Sequence, residues 1–330
     1  MRQVVLVLGA TGHIGQAVVR HWQERGHSVS AATRQANPRA LAGLPVRVVQ
    51  MDENLSRLRE AAEGHNLLID AAAPHPLGPA VNGSERWRRV IEGVERRTER
   101  VLAAARAHGV RVGFFSSFTT LPRRETAVRA REATWRRSAY PYFEAKLTME
   151  RMMLDAARGG MEVAVVNPAA CLGPWEYRPD TSSLVQLVLS GRMPVVMNQV
   201  SNVIDVRDVA AGMELALAHE CYGRPIPLAG HNVTPAELVS RIAAIGGRRG
   251  AGPVAVPTMW GSAVGLWAEM AYAAMGRATP DEWRAVPLIG DNLPMARSAE
   301  QAAIGVGIRP LEETIRDAVA FHTAALALFR

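Results

Sequence analysis

The stretch that decides the fold is residues 4–15, VVLVLGATGHIG, in which five apolar residues run directly into a glycine-rich turn. The short, largely β-branched run predicts a strand that is buried on both faces. Gly9, Gly12 and Gly15 stand where the backbone must turn tightly, approach a pyrophosphate and let a helix pack closely on the strand. The stretch therefore predicts a strand, a turn and a helix whose N-terminal amides bind dinucleotide phosphates.

Outward from this stretch, short β-branched runs alternate with helical patterns over the first two-thirds of the chain. This alternation predicts a parallel sheet with helices on both faces. The predicted strands are Val4–Leu8, Ser28–Thr33, Val46–Gln50, Leu67–Asp70, Val112–Ser116 and Val163–Val166. The predicted helices between them are His13 to Gly26, about Glu85 to His108, and about Phe143 to Arg158.

The pattern changes after Asn167-Pro168, where prolines punctuate short elements and helical patterns dominate. Thr234 followed by Pro235-Ala236-Glu237 predicts a helix start, and residues 311–329 predict a closing helix. The predicted fold class is α/β, a doubly wound Rossmann sheet with a smaller, mostly helical C-terminal substrate lobe. We expect the dinucleotide-binding core to span residues 1–168, with returning segments near 195–230, and the lobe to span mainly 169–330.

Composition is ordinary for a soluble globular protein, with 48% hydrophobic and 21% charged residues. Cys171 and Cys221 are too few for a disulfide framework and lack metal-site spacing, which favours a reducing compartment and no metal. The apolar run at 4–8 is too short for a signal peptide, and no run of about 18 apolar residues could span a bilayer. We therefore expect a cytoplasmic protein with no membrane span.

The formal charge of +7 and the pI of about 10.2 raise the alternative of a nucleic-acid partner. No helix-turn-helix, zinc or aromatic RNA-binding motif accompanies the charge, and the arginines are scattered. We expect no nucleic-acid partner, because attraction of an anionic cofactor is a simpler use of the charge.

The end of the second predicted strand, Ala31-Ala32-Thr33-Arg34, indicates which dinucleotide is bound. A carboxylate normally holds the ribose 2′-hydroxyl at this position, and none is present. Arg34, with Arg39 as a possible assistant, suits a 2′-phosphate through bidentate hydrogen bonds. NADP(H) is therefore favoured, and NAD(H) stays open. Asp52 could accept from the adenine amino group and residues 71–73 could lie against the cofactor, although ordinary loop roles explain both equally well.

Tyr142 and Lys146 stand four residues apart at the start of a helical pattern, so their side chains share one helix face. Ser117 follows the fifth predicted strand, at the sheet edge where ligands bind in such folds. Hydride transfer to a ketone builds negative charge on the oxygen, which needs a proton donor and a second hydrogen bond. A nearby ammonium lowers the pKa of a phenol from about 10, so Lys146 suits Tyr142, and Ser117 would polarise the carbonyl.

Together, the glycine turn, Ser117, Tyr142-x-x-x-Lys146 and Asn167-Pro168…Gly173-Pro174 resemble the extended short-chain dehydrogenase/reductases of the NAD-dependent epimerase/dehydratase superfamily. The resemblance runs through residues 205–210 to about 313, and is greatest to the dihydroflavonol-4-reductase and 3β-hydroxysteroid dehydrogenase branch. It implies Ser-Tyr-Lys chemistry on a small molecule, an NADPH-binding Arg34 and a homodimer formed through two core helices. Sugar-nucleotide members often carry an arginine where residues 200–204 read VSNVI, and its absence here lowers that reading without excluding it.

The motifs and the resemblance together give two sets of candidate residues. The candidate cofactor-binding residues are Gly9, Thr11, Gly12, His13, Ile14, Gly15, Thr33, Arg34, Asp52, Ala71, Ala72, Ala73, Lys146, Asn167 and Pro168. The candidate catalytic residues are Ser117, Tyr142 and Lys146, and the candidate substrate residues are His75, Ser117 and Trp175.

Two segments each have two interpretations, an ordinary structural role or a role in binding the substrate. Residues 122–140 hold six arginines that could clamp an anionic group, but a solvated loop or helix is the more ordinary interpretation. The Trp- and Met-rich residues 257–283 are more often lobe core than substrate pocket, although an apolar lobe would favour a hydrophobic substrate.

The sequence therefore predicts an NADPH-dependent oxidoreductase that reduces a ketone or aldehyde, or oxidises the corresponding secondary alcohol. One alternative is a sugar-nucleotide epimerase or dehydratase that regenerates its bound cofactor. Another, of a different class, is a non-catalytic dinucleotide-sensing regulator, although such proteins commonly lose the tyrosine–lysine pair that this chain retains.

Overall fold

The computed structural model describes residues 2–36, 38–72, 84–121, 141–177, 183–191, 195–197, 199–248, 254–257, 267–268, 270–272, 274–277 and 294–328. Of the sequence predictions, Ala73, His75 and the arginine-rich residues 122–140 lie outside these described residues.

A seven-stranded parallel sheet forms the centre of the fold; the sequence predicted a parallel sheet with six of these strands and missed the seventh. Its strands are β1 (Val4–Leu8), β2 (Ser28–Thr33), β3 (Arg47–Gln50), β4 (Leu67–Asp70), β5 (Arg111–Phe115), β6 (Val163–Pro168) and β10 (Pro225–Leu228). They lie in the order β10-β6-β5-β4-β1-β2-β3, and every neighbouring pair is parallel. The chain therefore leaves β1 toward one side of the sheet and returns at β4 on the other, and this reversal is where ligands bind in doubly wound folds.

Helices cover both faces of the sheet, and β1 shows why. Val5 and Val7 belong to one hydrophobic core, whereas Leu6 and Leu8 belong to another, because alternate side chains of a strand point to opposite faces. The first core packs under α1 (His13–Glu24) and α6 (Val206–Ala218). The second packs under α2 (Leu58–Ala61), α3 (Glu85–His108) and α4 (Pro141–Arg158). A run of apolar residues without alternation is what a strand buried on both faces requires.

Capping signals define the ends of α3. The Ser84 hydroxyl accepts a hydrogen bond from the Trp87 amide at the start, and Gly109 adopts a left-handed conformation with φ 60° at the end. The helix α4 begins at Pro141, two residues before the predicted start, because proline is favoured in a first helical turn, where its missing N–H costs nothing. Tyr142 is therefore within the first turn of α4.

The chain after residue 168 contains helices and also several short strands that the sequence did not predict. A three-stranded sheet has the order β11 (His231–Val233), β9 (Ser201–Asp205), β7 (Ala170–Leu172), and β12 (Val254–Val256) pairs with β8 (Val195–Met197). The helices are α5 (Leu184–Leu189), α7 (Pro235–Ile245), α8 (Ala299–Ala303) and α9 (Leu311–Leu328). The predicted start of α7 is confirmed, since the Thr234 hydroxyl accepts from the Glu237 amide at 3.2 Å.

The Trp- and Met-rich stretch is not lobe core where the structure describes it. Trp267 is 69% exposed, and Met270 and Met275 are exposed to 55% and 57%. In the part of the chain that the structure describes, no helix combines the length and the apolar character that crossing a bilayer requires.

Candidate active site

The glycine turn between β1 and α1 has no room for side chains. Gly9 has φ +73°, and a Cβ on it would come within 2.7 Å of the Ala72 backbone. A Cβ on Gly15 would meet the Gly9 carbonyl oxygen at 2.0 Å, which shows how closely the helix packs on the strand. Gly12 caps α1, and no acidic residue lies in the first turn. The turn and the helix N-terminus therefore fit an anionic pyrophosphate, which the first-turn amides would bind.

The end of β2 carries positive charge and no carboxylate, a combination that suits a dinucleotide with a 2′-phosphate. Thr33 is buried and Arg34 and Arg39 are exposed, with no carboxylate between Gly26 and Val46. Asp52 is exposed, and its carboxylate accepts from the Ser56 amide at 2.8 Å and the Ser56 hydroxyl at 2.6 Å. Those two hydrogen bonds hold the pKa of Asp52 below its usual value. They give Asp52 a role in its own loop, and its contact with adenine stays a prediction.

The segment after β4 lies against the glycine turn. Ala71 and Ala72 are half-buried, and the backbone of Ala72 is the neighbour that a side chain on Gly9 would strike. Asp70, the last residue of β4, accepts from the Ala72 amide at 3.1 Å and so shapes this segment.

Ser117 lies two residues beyond the end of β5, and its hydroxyl oxygen accepts from the Thr119 amide at 3.2 Å and the Thr119 hydroxyl at 2.9 Å. Both of these contacts use the lone pairs, which leaves the Ser117 proton available to a substrate oxygen. The neighbouring Ser116 instead donates its proton to Glu150. Of these two neighbouring hydroxyls, Ser117 is therefore the one whose proton is not donated to a carboxylate, and its part in catalysis stays a prediction.

Tyr142 and Lys146 lie one turn apart on α4, and both are buried, to 8% and 4% exposure. Tyr142 packs edge-on against Phe143, and Lys146 donates from Nζ to the Phe115 carbonyl at 3.3 Å. Lys146 is the only lysine in the sequence, since the other 37 of the 38 basic Lys and Arg residues are arginines. A chain that uses arginine everywhere else retains the titratable ammonium at this one position.

The charges around Lys146 come from four elements. Burial lowers the pKa of Lys146 to about 8. Asp70 on β4 opposes this most strongly, and Glu150 on α4 and Cys171 on β7 oppose it more weakly. Arg97 on α3 lowers the pKa of Lys146 further. Arg97 and Asp70 form a buried bidentate ion pair with N–O distances of 2.7 and 2.6 Å. Burial alone would raise the pKa of Asp70, but Arg97 outweighs it and holds that pKa below its usual value.

A second buried carboxylate, Glu150, lies one helical turn beyond Lys146 and is 6% exposed. Its Oε2 accepts from the Thr120 hydroxyl and the Asn167 side-chain amide, each at 2.6 Å, and from the Ser116 hydroxyl. The Asn167 amide nitrogen also lies 3.1 Å from the Ser117 carbonyl oxygen, while Asn167 Oδ1 is buried without a hydrogen-bond partner among the described residues. Pro168 follows as the last residue of β6.

Sequence reasoning missed Asp70, Arg97 and Glu150. Asp70 and Arg97 are 27 residues apart, and nothing local predicts their contact. Glu150 did carry a signal, because it follows Lys146 by four residues and so lies on the same helix face.

His13, which directly follows Gly12, connects the glycine turn to the segment after β7. Its Nε2 lies 3.1 Å from the Pro174 carbonyl oxygen, and its side chain is buried. The next residue, Trp175, has φ 70° and stacks under the Arg20 guanidinium of α1 at 4.8 Å from the ring centroid. Trp175 is half-buried, and its predicted contact with substrate stays a prediction.

Comparison with known proteins matches residues 5–226 to the sequence model of the family described as NAD dependent epimerase/dehydratase. A protein named dihydroflavonol 4-reductase from Synechocystis sp. is 32% identical over 226 residues, which are 66% of this chain and 63% of that protein. The match thus spans slightly less than two-thirds of that relative. Sterol demethylase protein B of Methylococcus capsulatus is 31% identical over 71% of this chain and 72% of its own. Cinnamoyl-CoA reductase 2 of Arabidopsis thaliana is 28% identical over 64% of this chain and 68% of its own.

Solved structures share the fold over nearly the whole chain. The crystal structure of gox2253 has a TM-score of 0.76 at 24% identity and covers 98% of this chain and 99% of its own. A nucleoside-diphosphate-sugar epimerase from Pseudomonas aeruginosa has a TM-score of 0.71 at 21% identity, with the same coverage. At these identities the likeness establishes the fold alone.

Proposed function

The chain belongs to the NAD dependent epimerase/dehydratase family as an enzyme of the extended short-chain dehydrogenase/reductase type, and from this premise we propose that it is an NADPH-dependent reductase of a hydrophobic ketone or aldehyde. The observation that carries the proposal is the buried pair Tyr142 and Lys146 on the first turns of α4, beside Ser117 at the end of β5. A homodimer, a cytoplasmic location, the lack of a nucleic-acid partner and the division at residue 168 stay predictions from the sequence.

The sequence relatives favour a net reduction over an epimerase cycle. Two of the three that we compare are named as reductases, of a dihydroflavonol and of a cinnamoyl thioester, and the third is named for a sterol. The dihydroflavonol and cinnamoyl groups in these names contain aromatic rings, and a sterol is a fused hydrocarbon ring system. A hydrophobic carbonyl compound is therefore the substrate class that these names support for this chain.

NADPH would supply the hydride, and the residues of this chain handle the charge that develops on the substrate oxygen. Ser117 donates a hydrogen bond to that oxygen, which holds the oxygen in place while Ser117 keeps its own proton. Tyr142 donates the proton that completes the alcohol, and the Lys146 ammonium stabilises the phenolate that remains. Burial of both side chains strengthens this electrostatic effect, because water does not screen it.

The preference for NADPH over NADH is supported by the end of β2. Arg34 is exposed there, and no carboxylate is available to a ribose 2′-hydroxyl. A guanidinium matches a 2′-phosphate in both charge and geometry. Arg39, also exposed in the following 3-10 turn, would add a second positive charge.

The test is a screen of the purified enzyme with NADPH against aromatic, terpenoid and steroid-like ketones and aldehydes, with sugar nucleotides in parallel. We expect oxidation of NADPH with an apolar carbonyl compound. Tyr142→Phe should lower kcat by about 10²-fold or more. Tyr222→Phe is the matched control, because Tyr222 is half-buried and its hydroxyl contacts Glu162 outside the site.

Two results would contradict the proposed reductase function. The first is turnover of sugar nucleotides alone, with tightly bound NAD and no net consumption of NADPH, which would make the enzyme an epimerase or dehydratase. The second is full activity of Tyr142→Phe.

The cofactor preference is tested separately by Arg34→Ala, which should reduce the NADPH-to-NADH ratio of kcat/KM by about tenfold. The exposed Arg96 on α3 supplies the control substitution, Arg96→Ala.

A further inference from the structure

Lys146 has two carboxylates near it among the described residues, and of these two only Asp70 has an arginine partner within the described part of the chain. Asp70 is committed to the bidentate pair with Arg97, and the effect of Arg97 on the pKa of Lys146 opposes that of Asp70. The hydrogen-bond donors to Glu150 are all neutral, two hydroxyls and one amide. Glu150 is therefore the carboxylate whose charge remains to balance the only lysine of the chain.

The same carboxylate joins three pieces of the backbone. Its donors are Ser116 after β5, Thr120 in the 3-10 turn that follows, and Asn167 in β6. Ser117 lies between Ser116 and Thr120 in the chain, and its carbonyl oxygen accepts from the Asn167 side-chain amide at 3.1 Å. The Phe115 carbonyl that receives Lys146 directly precedes them. Glu150 thus connects the helix that carries Tyr142 to the strand end that carries Ser117.

The convergence of three donors on one oxygen fits an ionised carboxylate. A carboxylate only accepts hydrogen bonds, whereas a protonated acid would present a donor of its own to this crowded position. A buried anion is costly unless hydrogen bonds and a nearby cation offset its lost hydration, and Lys146 is the cation here. The polar residues around Glu150 supply this support.

We propose that Glu150 is a positioning residue of this site, which keeps Lys146 protonated through its buried charge and holds Ser117 in register with Tyr142 through its hydrogen bonds. The inference rests on the proposed reductase function, because it assigns a role relative to those three residues. Glu150 acts through Lys146 and Ser117 and contacts neither substrate nor cofactor. Its two roles are separable, since one depends on charge and the other on shape.

The single lysine makes the charge role directly measurable. Protein labelled with ¹³Cε-lysine gives one side-chain NMR signal, so the protonation of Lys146 is followed without assignment of any other residue. We expect a midpoint near pH 8 in the native protein. In Glu150→Gln, which keeps the size but removes the charge, the midpoint should move down by about one pH unit. The alkaline limb of the kcat profile should move with it, which lowers kcat at pH 8 by about fivefold.

Asp155→Asn is the matched control, because Asp155 lies on the same helix, loses the same charge and is 67% exposed in a pair with Arg158. It should leave both the midpoint and the pH profile unchanged. An unshifted lysine signal in Glu150→Gln would overturn the charge role. A shift of equal size in Asp155→Asn would also overturn it, because a general field effect would then explain the result.

Glu150→Asp separates the two roles and replaces Glu150→Gln if that variant does not fold. It keeps the charge but withdraws the carboxylate by one methylene, so the lysine midpoint should stay within about 0.3 pH units while kcat falls by about tenfold. A large fall of the midpoint contradicts the charge role, and an unchanged kcat contradicts the positioning of Ser117. The lysine titration needs no turnover. A native enzyme that reduces no carbonyl compound would therefore overturn the proposed function alone, and the titration would still decide the charge role of Glu150.

Discussion

Two clusters of buried charge hold this molecule together, and they differ in the cation that they use. The site cluster consists of Asp70 at the end of β4, Arg97 on α3, and Lys146 and Glu150 on α4. The α6–α9 cluster consists of Asp205, Arg207, Asp208, Arg309 and Asp317, and it joins α6 to α9 and to the segment before α9. Each cluster contains one fully buried carboxylate, Asp70 in the first and Asp205 in the second, both at 0% side-chain exposure.

The α6–α9 cluster contains only arginine as its cation. Arg207 holds both oxygens of Asp205, at 2.9 and 2.7 Å, and also reaches Asp317 at 2.6 Å. Burial alone would raise the pKa of Asp205, but hydrogen bonds from Arg207 and Thr314 outweigh it and lower that pKa. Asp208 is paired with Arg309, yet burial still raises its pKa. Every cation here is an arginine, which stays protonated at accessible pH. The cluster therefore acts as a structural clamp that holds α6 against α9.

The site cluster contains an arginine with the same structural role and, beside it, the only lysine of the chain. Arg97 neutralises Asp70, whereas Lys146 has a pKa lowered to about 8 by burial. An ammonium near its pKa can respond to the charge of a neighbouring phenol, which a guanidinium cannot. Under the proposed function, lysine therefore stands where a proton moves, and arginine stands where a charge only holds the structure.

Lys146→Arg should have the largest effect of the substitutions that test this comparison. The guanidinium stays charged at every accessible pH, and it is too large for a position that is 4% exposed. We expect kcat with NADPH to fall by about 10²- to 10⁴-fold. Arg96→Lys, on the exposed face of α3, should change nothing. If Lys146→Arg kept more than half of the native kcat, the distinction between the two clusters would be lost.

Asp70→Asn should produce the largest loss of stability. It leaves the Arg97 charge buried without its partner, which costs about 3–5 kcal/mol in the free energy of unfolding, as measured by urea denaturation. Asp70→Asn combined with Arg97→Met should recover part of that loss, because no unpaired charge then remains. Glu92→Gln, which breaks an exposed pair with Arg96, is the control and should cost less than about 0.5 kcal/mol. A double variant no more stable than Asp70→Asn alone would contradict this account.

The ammonium of Lys146 should cost stability, and the pH dependence gives the sign. The pKa of Lys146 is about 8 in the folded protein and 10.5 in the unfolded chain. Between pH 8 and pH 10.5 the unfolded chain therefore binds more protons than the folded protein does. The stability of the native protein relative to Lys146→Met should therefore rise from pH 8 toward pH 10.5, by up to about 3 kcal/mol. Below pH 8 the difference should be constant. Urea denaturation at pH 7, 8.5 and 9.5 measures it, and a difference that falls with pH would show that the lysine is not destabilised by burial.

The sequence predicts the central sheet well because its strands lie between helices on both faces. β1, β2 and β4 have the predicted bounds, and so does α3 with its Ser84 and Gly109 caps. β10 was missed for a physical reason. Pro225 and Pro227 argue against a strand, but β10 lies at the sheet edge, where a missing N–H is tolerated. β7, β9 and β11 are three to five residues long, and they form only because distant segments pair.

The candidate site divides in the same way between local and distant signals. The glycine turn, Ser117 and the Tyr142–Lys146 pair are readable because each has a local spacing with a chemical purpose. The Asp70–Arg97 pair and the donors around Glu150 come from separate elements, and only the fold brings them together. The charges of Asp70 and Arg97 near Lys146 could therefore not be predicted from the sequence, whereas the position of Glu150 on the same helix face and the presence of a single lysine could be.

Arg207→Lys is the reverse exchange in the α6–α9 cluster, and it should have the smallest effect. A lysine cannot hold both oxygens of Asp205 while it also reaches Asp317, so at least one charged hydrogen bond is lost. We expect the free energy of unfolding to fall by about 2 kcal/mol and kcat per folded molecule to stay at the native value. Arg241→Lys, in an exposed pair with Glu237 on α7, is the control and should cost less than about 0.5 kcal/mol. If Arg207→Lys lowered kcat as far as Lys146→Arg does, the α6–α9 cluster would be part of the chemistry, and the choice of cation would no longer separate a clamp from a site.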